Sequence, residues 1–377
     1  MNNKWVTVWG NTMSCDEFHP ASYTKNITLR YFIMPLISGA KVKLRFANTY
    51  GTESVKLTNV TLSCFHNGEC ADFVDVTFNG VTEAIVNSGD YLLSDEIDFS
   101  VLRGNKFAVS IYIEGLTDLH SSISTSGPFS EYYFACGDHS KSATLPLAES
   151  ESISKVYFLD EVEVLGTVAD KVGVCFGDSI TAQSWPEWEM LRLLDENIEN
   201  IALVRKAISG NRVLREYKNL GLLKYGKTGI DRFENDISTS GADRVFILHG
   251  INDIIHPDGI KPFRPLSDYP TFEELIEGYR EYIRIAHSKG LKIFIATILP
   301  FKGWRTYAEE RNQLRLAVNE WIRTNNEADG CIDFDSAVRQ INDPDALKNE
   351  YDSGDHLHPS TEGAKTMANF IPLELFK

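Results

Sequence analysis

No stretch of the 377 residues holds the run of about 18–20 apolar residues that a membrane-spanning helix needs. The chain starts MNNKWVTVWG, which contains no apolar leader segment and enters strand-like alternation at once. The expectation is a cytoplasmic protein, or a secreted one if a leader has been removed. Positive charge is also scarce: 37 Lys and Arg stand against 53 Asp and Glu, a formal net charge of −16. So acidic a surface argues against nucleic acid and anionic membranes as partners, since both are bound through basic patches. The six cysteines, at 15, 64, 70, 136, 175 and 331, form no Cys-x-x-Cys pair. In a chain of this length they read as mostly free thiols, with Cys175 inert inside an apolar strand. There is no His-Glu-x-x-His pattern of metal ligands and no Gly-x-Ser-x-Gly elbow of the ordinary α/β-hydrolases. Internal repeats and low-complexity tracts are absent as well.

What is present is globular: 43% hydrophobic and 24% charged residues, in a chain long enough for two domains. Its character changes near residue 166. Before that point, short segments alternate apolar and polar residues, as in AKVKLRFANTYG (40–51), VKLTNVTLSCF (55–65), FVDVTFNG (73–80) and KFAVSIYIEG (106–115). Asn-Gly at 67–68 and 79–80 and Gly-Asp at 89–90 mark turns between strands. An all-β sandwich or jelly-roll domain over residues 1–166 is the expectation. TVAD (167–170) reads as the linker. From 171 to 377, apolar strands at 172–177, 201–208, 244–250, 291–299 and 331–334 alternate with helices. One helix, 271–290, opens with Thr271 and Glu274 at capping-box spacing and stops at Gly290; another covers 305–328. This alternation predicts an α/β domain built on a doubly wound, mostly parallel sheet, with chemistry at the carboxyl ends of its strands.

Three constellations fall at those ends or on late loops. Gly177-Asp178-Ser179 closes the first α/β strand, where the glycine permits a sharp turn and the serine hydroxyl is left reachable. Asp and Ser are also ordinary helix caps. HGINDI (249–254) closes another strand and presents the Asn252 amide, or else forms a plain turn. In DSGDHLHPS (352–360), Asp355 stands three residues before His358, a spacing at which a carboxylate can orient an imidazole. The same loop could be merely solvated, or could hold a metal on Asp355, His356 and His358. Taken together, a serine, a histidine with a carboxylate and a set of amide donors are the parts needed for acyl transfer.

At four blocks in the right order the sequence resembles the SGNH (GDSL-type) hydrolases. FGDSIT (176–181) is similar to the nucleophile block, AISGNRVL (207–214) to the second, GIND (250–253) to the third and DHLH (355–358) to the last. The resemblance covers roughly residues 172–377. The preceding β-domain, with RFANTYGTE (45–53), and the terminal YDSGDHLHPS resemble a bacterial branch of the family, some of whose relatives deacetylate plant polysaccharides. Arg205, Lys206 and Ala207 depart from the pattern, which often has Asn-x-Gly before the second block. The resemblance implies a flavodoxin-like sheet and a serine esterase that needs no cofactor and no metal. It implies Ser179 as nucleophile, His358 as general base and acid, and Asp355 as its orienting carboxylate. The oxyanion hole would comprise the N–H groups of Ser179 and Gly210 and the Asn252 amide, with Asp178 bracing the nucleophile turn. Without a lid-like apolar segment, and with a Pro-rich stretch at 256–270 after Asn252, short acyl groups are expected, acetyl foremost, on a small-molecule or carbohydrate ester. The alternatives are a lipase for longer chains and a non-catalytic carbohydrate-binding protein on a hydrolase fold. Trp5, Trp9 and Tyr50 could bind sugar, but filling a sandwich core is the preferred reading. Nothing in the sequence sets the oligomeric state.

Overall fold

The computed structural model describes residues 3–15, 23–146, 148–218, 220–259 and 264–377. The chain divides into two compact units, Met1–Val172 with Glu199–Val204, and Gly173–Ile198 with Arg205–Lys377. TVAD forms a tight turn: the Asp170 N–H donates to the Thr167 carbonyl at 3.1 Å, and the Asp170 carboxylate accepts from the Thr167 N–H at 2.5 Å.

The first unit is all β. A six-stranded antiparallel sheet has Ile27–Ile33 and Phe107–Ile113 at its centre, and a four-stranded one runs Asn3–Gly10, Leu159–Thr167, Val42–Ala47, Tyr91–Leu93. Asn67-Gly68 and Asn79-Gly80 have positive φ at both residues, as the tight turns read from the sequence require. The first joins Asn59–His66 to Glu69–Asp75. The segment 55–65, which reads as one strand, is two, Val55–Leu57 and Asn59–His66, which pair with different partners. Trp9 is core, whereas Trp5 is half-buried with the Lys43 ammonium 4.1 Å from its ring centre. All six cysteines are free thiols.

A five-stranded sheet has the order Ile201–Ala207, Lys171–Gly177, Ala242–Leu248, Lys292–Ala296, Gly330–Ile332. Numbered along the chain this is 2-1-3-4-5, the flavodoxin-like order, and the described pairings along its second half are parallel. Helices fill the connections, because a parallel strand can be reached only by a crossover. The strands are continuous apolar runs, with Val174, Phe176, Ile247, Ile293 and Ile295 at most 1% exposed, as strands covered on both faces must be. The helix Phe272–Ser288 starts at Thr271 with both hydrogen bonds of its capping box formed. The last long helix is shorter than its amphipathic pattern, Glu309–Thr324 rather than 305–328. Among the described residues no helix is long and apolar enough to cross a membrane.

Candidate active site

Asp178, Ser179, Gly210 and Asn252 lie past the carboxyl ends of strands, and Asp355 and His358 lie on the loop before the last helix. Lys171–Gly177 ends where the backbone is pressed against its neighbour: a Cβ on Gly177 would sit 2.2 Å from the Leu248 carbonyl oxygen and 2.6 Å from Thr181 Oγ1. Only glycine fits there. The next residue, Asp178, caps the short helix Ser179–Ala182 by accepting from the Ile180 N–H at 3.1 Å. Ser179 is thus the first helical residue, with its hydroxyl half-exposed at the sheet edge.

DHLH is folded on itself by Asp355. One carboxylate oxygen accepts from the Leu357 and His358 N–H groups at 2.9 and 2.8 Å, and the other meets His358 Nδ1 at 2.6 Å. A carboxylate can only accept, so Nδ1 carries the proton and Nε2 offers its lone pair. That Nε2 lies 2.8 Å from Ser179 Oγ. The structure therefore brings Ser179, His358 and Asp355 into one hydrogen-bonded chain. Partial burial opposes the charged form of Asp355. The His358 ring, the two N–H groups and the imidazole's charge outweigh it, and the carboxyl is held well below the usual range. The neighbouring His356 takes a different carboxylate, Asp352, at 2.6 Å through Nδ1.

The second and third blocks are tied together behind the serine. Gly210 is buried with φ +77°, a left-handed conformation, and a Cβ on it would fall 2.1 Å from the Tyr225 ring. Its carbonyl accepts from the Tyr217 hydroxyl at 3.0 Å. Asn252 is 2% exposed and donates one amide N–H to the Asn211 carbonyl at 3.0 Å. Among the described residues its second amide N–H has no partner. Asp253 links the same two blocks by accepting from the Val213 and Leu214 N–H groups at 2.8 and 3.0 Å. Burial pushes its carboxyl up to about 6 against those bonds. Asp178 is raised further, to about 7, by burial first. The Ile180 N–H and the charge of His358 oppose this, and Asp253 adds to it. One oxygen of Asp178, Oδ2, has no hydrogen-bond partner among the described residues.

Several residues of this site carry no motif. Arg232 is 6% exposed and donates to the Gly177 carbonyl at 2.7 Å, the Lys206 carbonyl at 3.1 Å and Asn211 Oδ1 at 2.9 Å. It thereby clamps the Lys171–Gly177 strand to the Gly210 loop, and it ion-pairs with buried Asp236. Its helix, Gly229–Asp236, shows only ordinary amphipathic spacing, so nothing in the sequence marks it. His249 donates from Nε2 to the Asn211 carbonyl at 3.2 Å and accepts the Tyr282 hydroxyl at 3.0 Å. Burial lowers it to about 3, so it is neutral and rigidly held. Its place at the end of a strand in HGIND was the available signal. Trp304 sets its ring edge-on to His358, centres 6.4 Å apart at 87°. Arg205, one of the departures from the family pattern, turns its charge to Glu187 at 3.1 Å and Gln183 O at 3.1 Å. Cys175 is fully buried, and desolvation pushes its thiol far above the thiolate range. Of the Pro-rich stretch 256–270, residues 260–263 lie outside the described residues.

Among solved structures, a GDSL-like lipase from Bacteroides thetaiotaomicron is 20% identical, over 55% of this chain and 87% of its own, with a TM-score of 0.38. An acetylxylan esterase from Geobacillus stearothermophilus is 19% identical, over 55% and 94%, with a TM-score of 0.41. No curated protein matches the chain. Residues 175–366 match the family described as GDSL-like lipase/acylhydrolase, a span that starts one residue before the FGDSIT block and ends beyond DHLH. With half of its length in that match and an N-terminal all-β unit before it, the chain belongs to the GDSL-like lipase/acylhydrolase family.

Proposed function

We propose that this acylhydrolase is a serine esterase that cleaves short-chain esters, acetyl above all, on a small alcohol or a carbohydrate. The observation that carries the reading is the chain of contacts from Ser179 Oγ through the His358 ring to Asp355, at 2.8 and 2.6 Å. In the proposed reaction His358 Nε2 accepts the Ser179 proton while Oγ attacks the ester carbonyl. Asp355 keeps the ring in the Nδ1–H tautomer and stabilises the imidazolium that forms. The imidazolium then protonates the leaving alcohol, and a water molecule activated in the same way releases the acid. The oxyanion is assigned to the N–H groups of Ser179 and Gly210 and to the free N–H of the Asn252 amide, which its bond to Asn211 holds in place. One such donor is worth about 2.7–4 kcal/mol in the transition state. Asp178 braces the turn through its cap and takes no part in proton transfer.

The test is turnover of a chromogenic acetate ester by the wild type and by Ser179→Ala. Loss of activity by several orders of magnitude, with an unchanged circular-dichroism spectrum, is expected. Turnover close to wild type in the variant overturns the assignment. Absence of turnover in the wild type on any acyl ester favours a carbohydrate-binding protein on this fold.

A further inference from the structure

Which alcohol the enzyme releases is written beside His358. In acyl transfer the imidazolium hands its proton to the leaving alcohol, so the groups flanking that ring border the alcohol's position. Trp304 is one of them, edge-on to the ring at 6.4 Å. The Arg305 guanidinium lies over the Trp304 ring at 4.9 Å from its centre. Arg305 is exposed, and among the described residues no carboxylate lies within ion-pair distance of it. An indole face topped by an uncommitted cation makes a platform for a ring-bearing alcohol with negative charge.

A second observation is independent of the first. Arg264 is 3% exposed, yet among the described residues it too has no carboxylate partner. Among the described residues the guanidinium's one hydrogen bond goes to the Tyr225 hydroxyl at 2.9 Å, and Nε has no partner. It lies over the rings of Tyr217 and Tyr225, the two tyrosines that meet Gly210. A buried guanidinium without a counter-charge is costly. Three carboxylates of the site are engaged elsewhere: Asp355 with His358, Asp352 with His356, Asp268 with Arg212 at 3.0 Å. Burial first, then the charges of Arg264, Arg212, Arg305 and His358, hold His256 well below its usual range, which places these cations in one neighbourhood. In a chain of net charge −16, local positive potential of this kind stands against the whole surface.

We propose that the alcohol part of the ester substrate bears an anionic group, a carboxylate or a phosphate, which pairs with Arg305 while its ring or chain lies on Trp304 in the field of Arg264. This inference rests on the esterase reading above. The test uses two matched pairs of acetate esters: 3-acetoxybenzoate against its methyl ester, and acetylglycerol phosphate against acetylglycerol. The expected result is a preference in kcat/KM for the anionic member of at least one pair by about three- to fivefold, the strength of an exposed ion pair, expressed mainly in KM. It should fade at about 0.5 M salt, where exposed charges are screened. Which pair shows it separates carboxylate from phosphate. The anionic-to-neutral ratio should fall to about one in Arg305→Gln and below one in Arg305→Glu. Equal turnover within both pairs by the wild type overturns the inference and leaves the esterase reading intact, as does a preference that survives in Arg305→Gln. No turnover of any of the four esters, or turnover that survives Ser179→Ala, overturns both.

Discussion

Asp178 sits next to Ser179 with its carboxylate sealed from water, and that has a measurable consequence for stability. The side chain is 1% exposed; one oxygen accepts the Ile180 N–H, and the other has no partner among the described residues. Burial raises the carboxyl to about 7 in the folded state, against about 3.9 in an unfolded chain. Between these values the folded protein holds a proton that the unfolded chain has released. The stability contributed by Asp178 is therefore complete below about pH 4, falls as pH rises, and is lost above about pH 7. The slope is about 1.4 kcal/mol per pH unit, and over about three units the loss is about 4 kcal/mol. Asn is as good a cap as Asp and has no charge to bury. Asp178→Asn leaves an amide where Oδ2 was, a cost of about 1–3 kcal/mol that does not vary with pH. The difference in unfolding free energy, variant minus wild type, should thus grow by about 1.4 kcal/mol per unit from pH 4 to pH 7 and then level off. Urea unfolding followed at 222 nm suits the measurement, because the described helices all belong to the second unit. Parallel stability–pH curves for the two proteins would refute the reasoning, and so would a difference that shrinks as pH rises.

Asp355→Asn should lower kcat by a factor on the order of 10⁴, because the amide NH2 can donate to Nδ1 and so favours the Nε2–H tautomer, which cannot take the serine proton; steady-state kinetics on the acetate ester decide this. Arg232→Met should destabilise by about 3–5 kcal/mol, since buried Asp236 is left unpaired and the Gly177 and Asn211 acceptors lose their donor. The double variant with Asp236→Asn should recover part of that loss in the same urea assay. A chelator should leave turnover unchanged, because Asp352 and Asp355 each bind a separate imidazole; activity lost in EDTA and restored by a divalent ion would speak against the triad. Rates across 4-nitrophenyl esters should be highest at acetyl or slightly longer chains, and a steady rise toward long chains would instead indicate a lipase.

The sequence by itself determined the parts whose geometry is local. Gly177-Asp178-Ser179 is a strand end and a helix cap within three residues. Asp355 grips His358 through hydrogen bonds that span at most three positions, so the spacing of DHLH already contains two of the three members of the proposed triad. Alternating and continuous apolar runs announced an all-β unit before an α/β unit, because burial on one face or on two leaves different periods in the chain. Element ends were less legible. Residues 305–308 continue a helical pattern, yet they form the end of the loop that carries Trp304 to His358, and the helix starts only at Glu309. Tertiary structure alone decided the rest. Ser179 and His358 are 179 residues apart and meet only because the 2-1-3-4-5 sheet lines up the carboxyl ends of its strands. Of the partners of Arg232, Asp236 sits at helical i,i+4 spacing, whereas Asn211, Lys206 and Gly177 lie 21, 26 and 55 residues away, separations that no local spacing encodes. Whether a cation such as Arg205 or Arg305 finds a carboxylate is likewise fixed by the fold: Arg205 meets Glu187, and Arg305 meets the face of Trp304 and no carboxylate among the described residues, because a counter-charge is set by distance in space rather than by order along the chain.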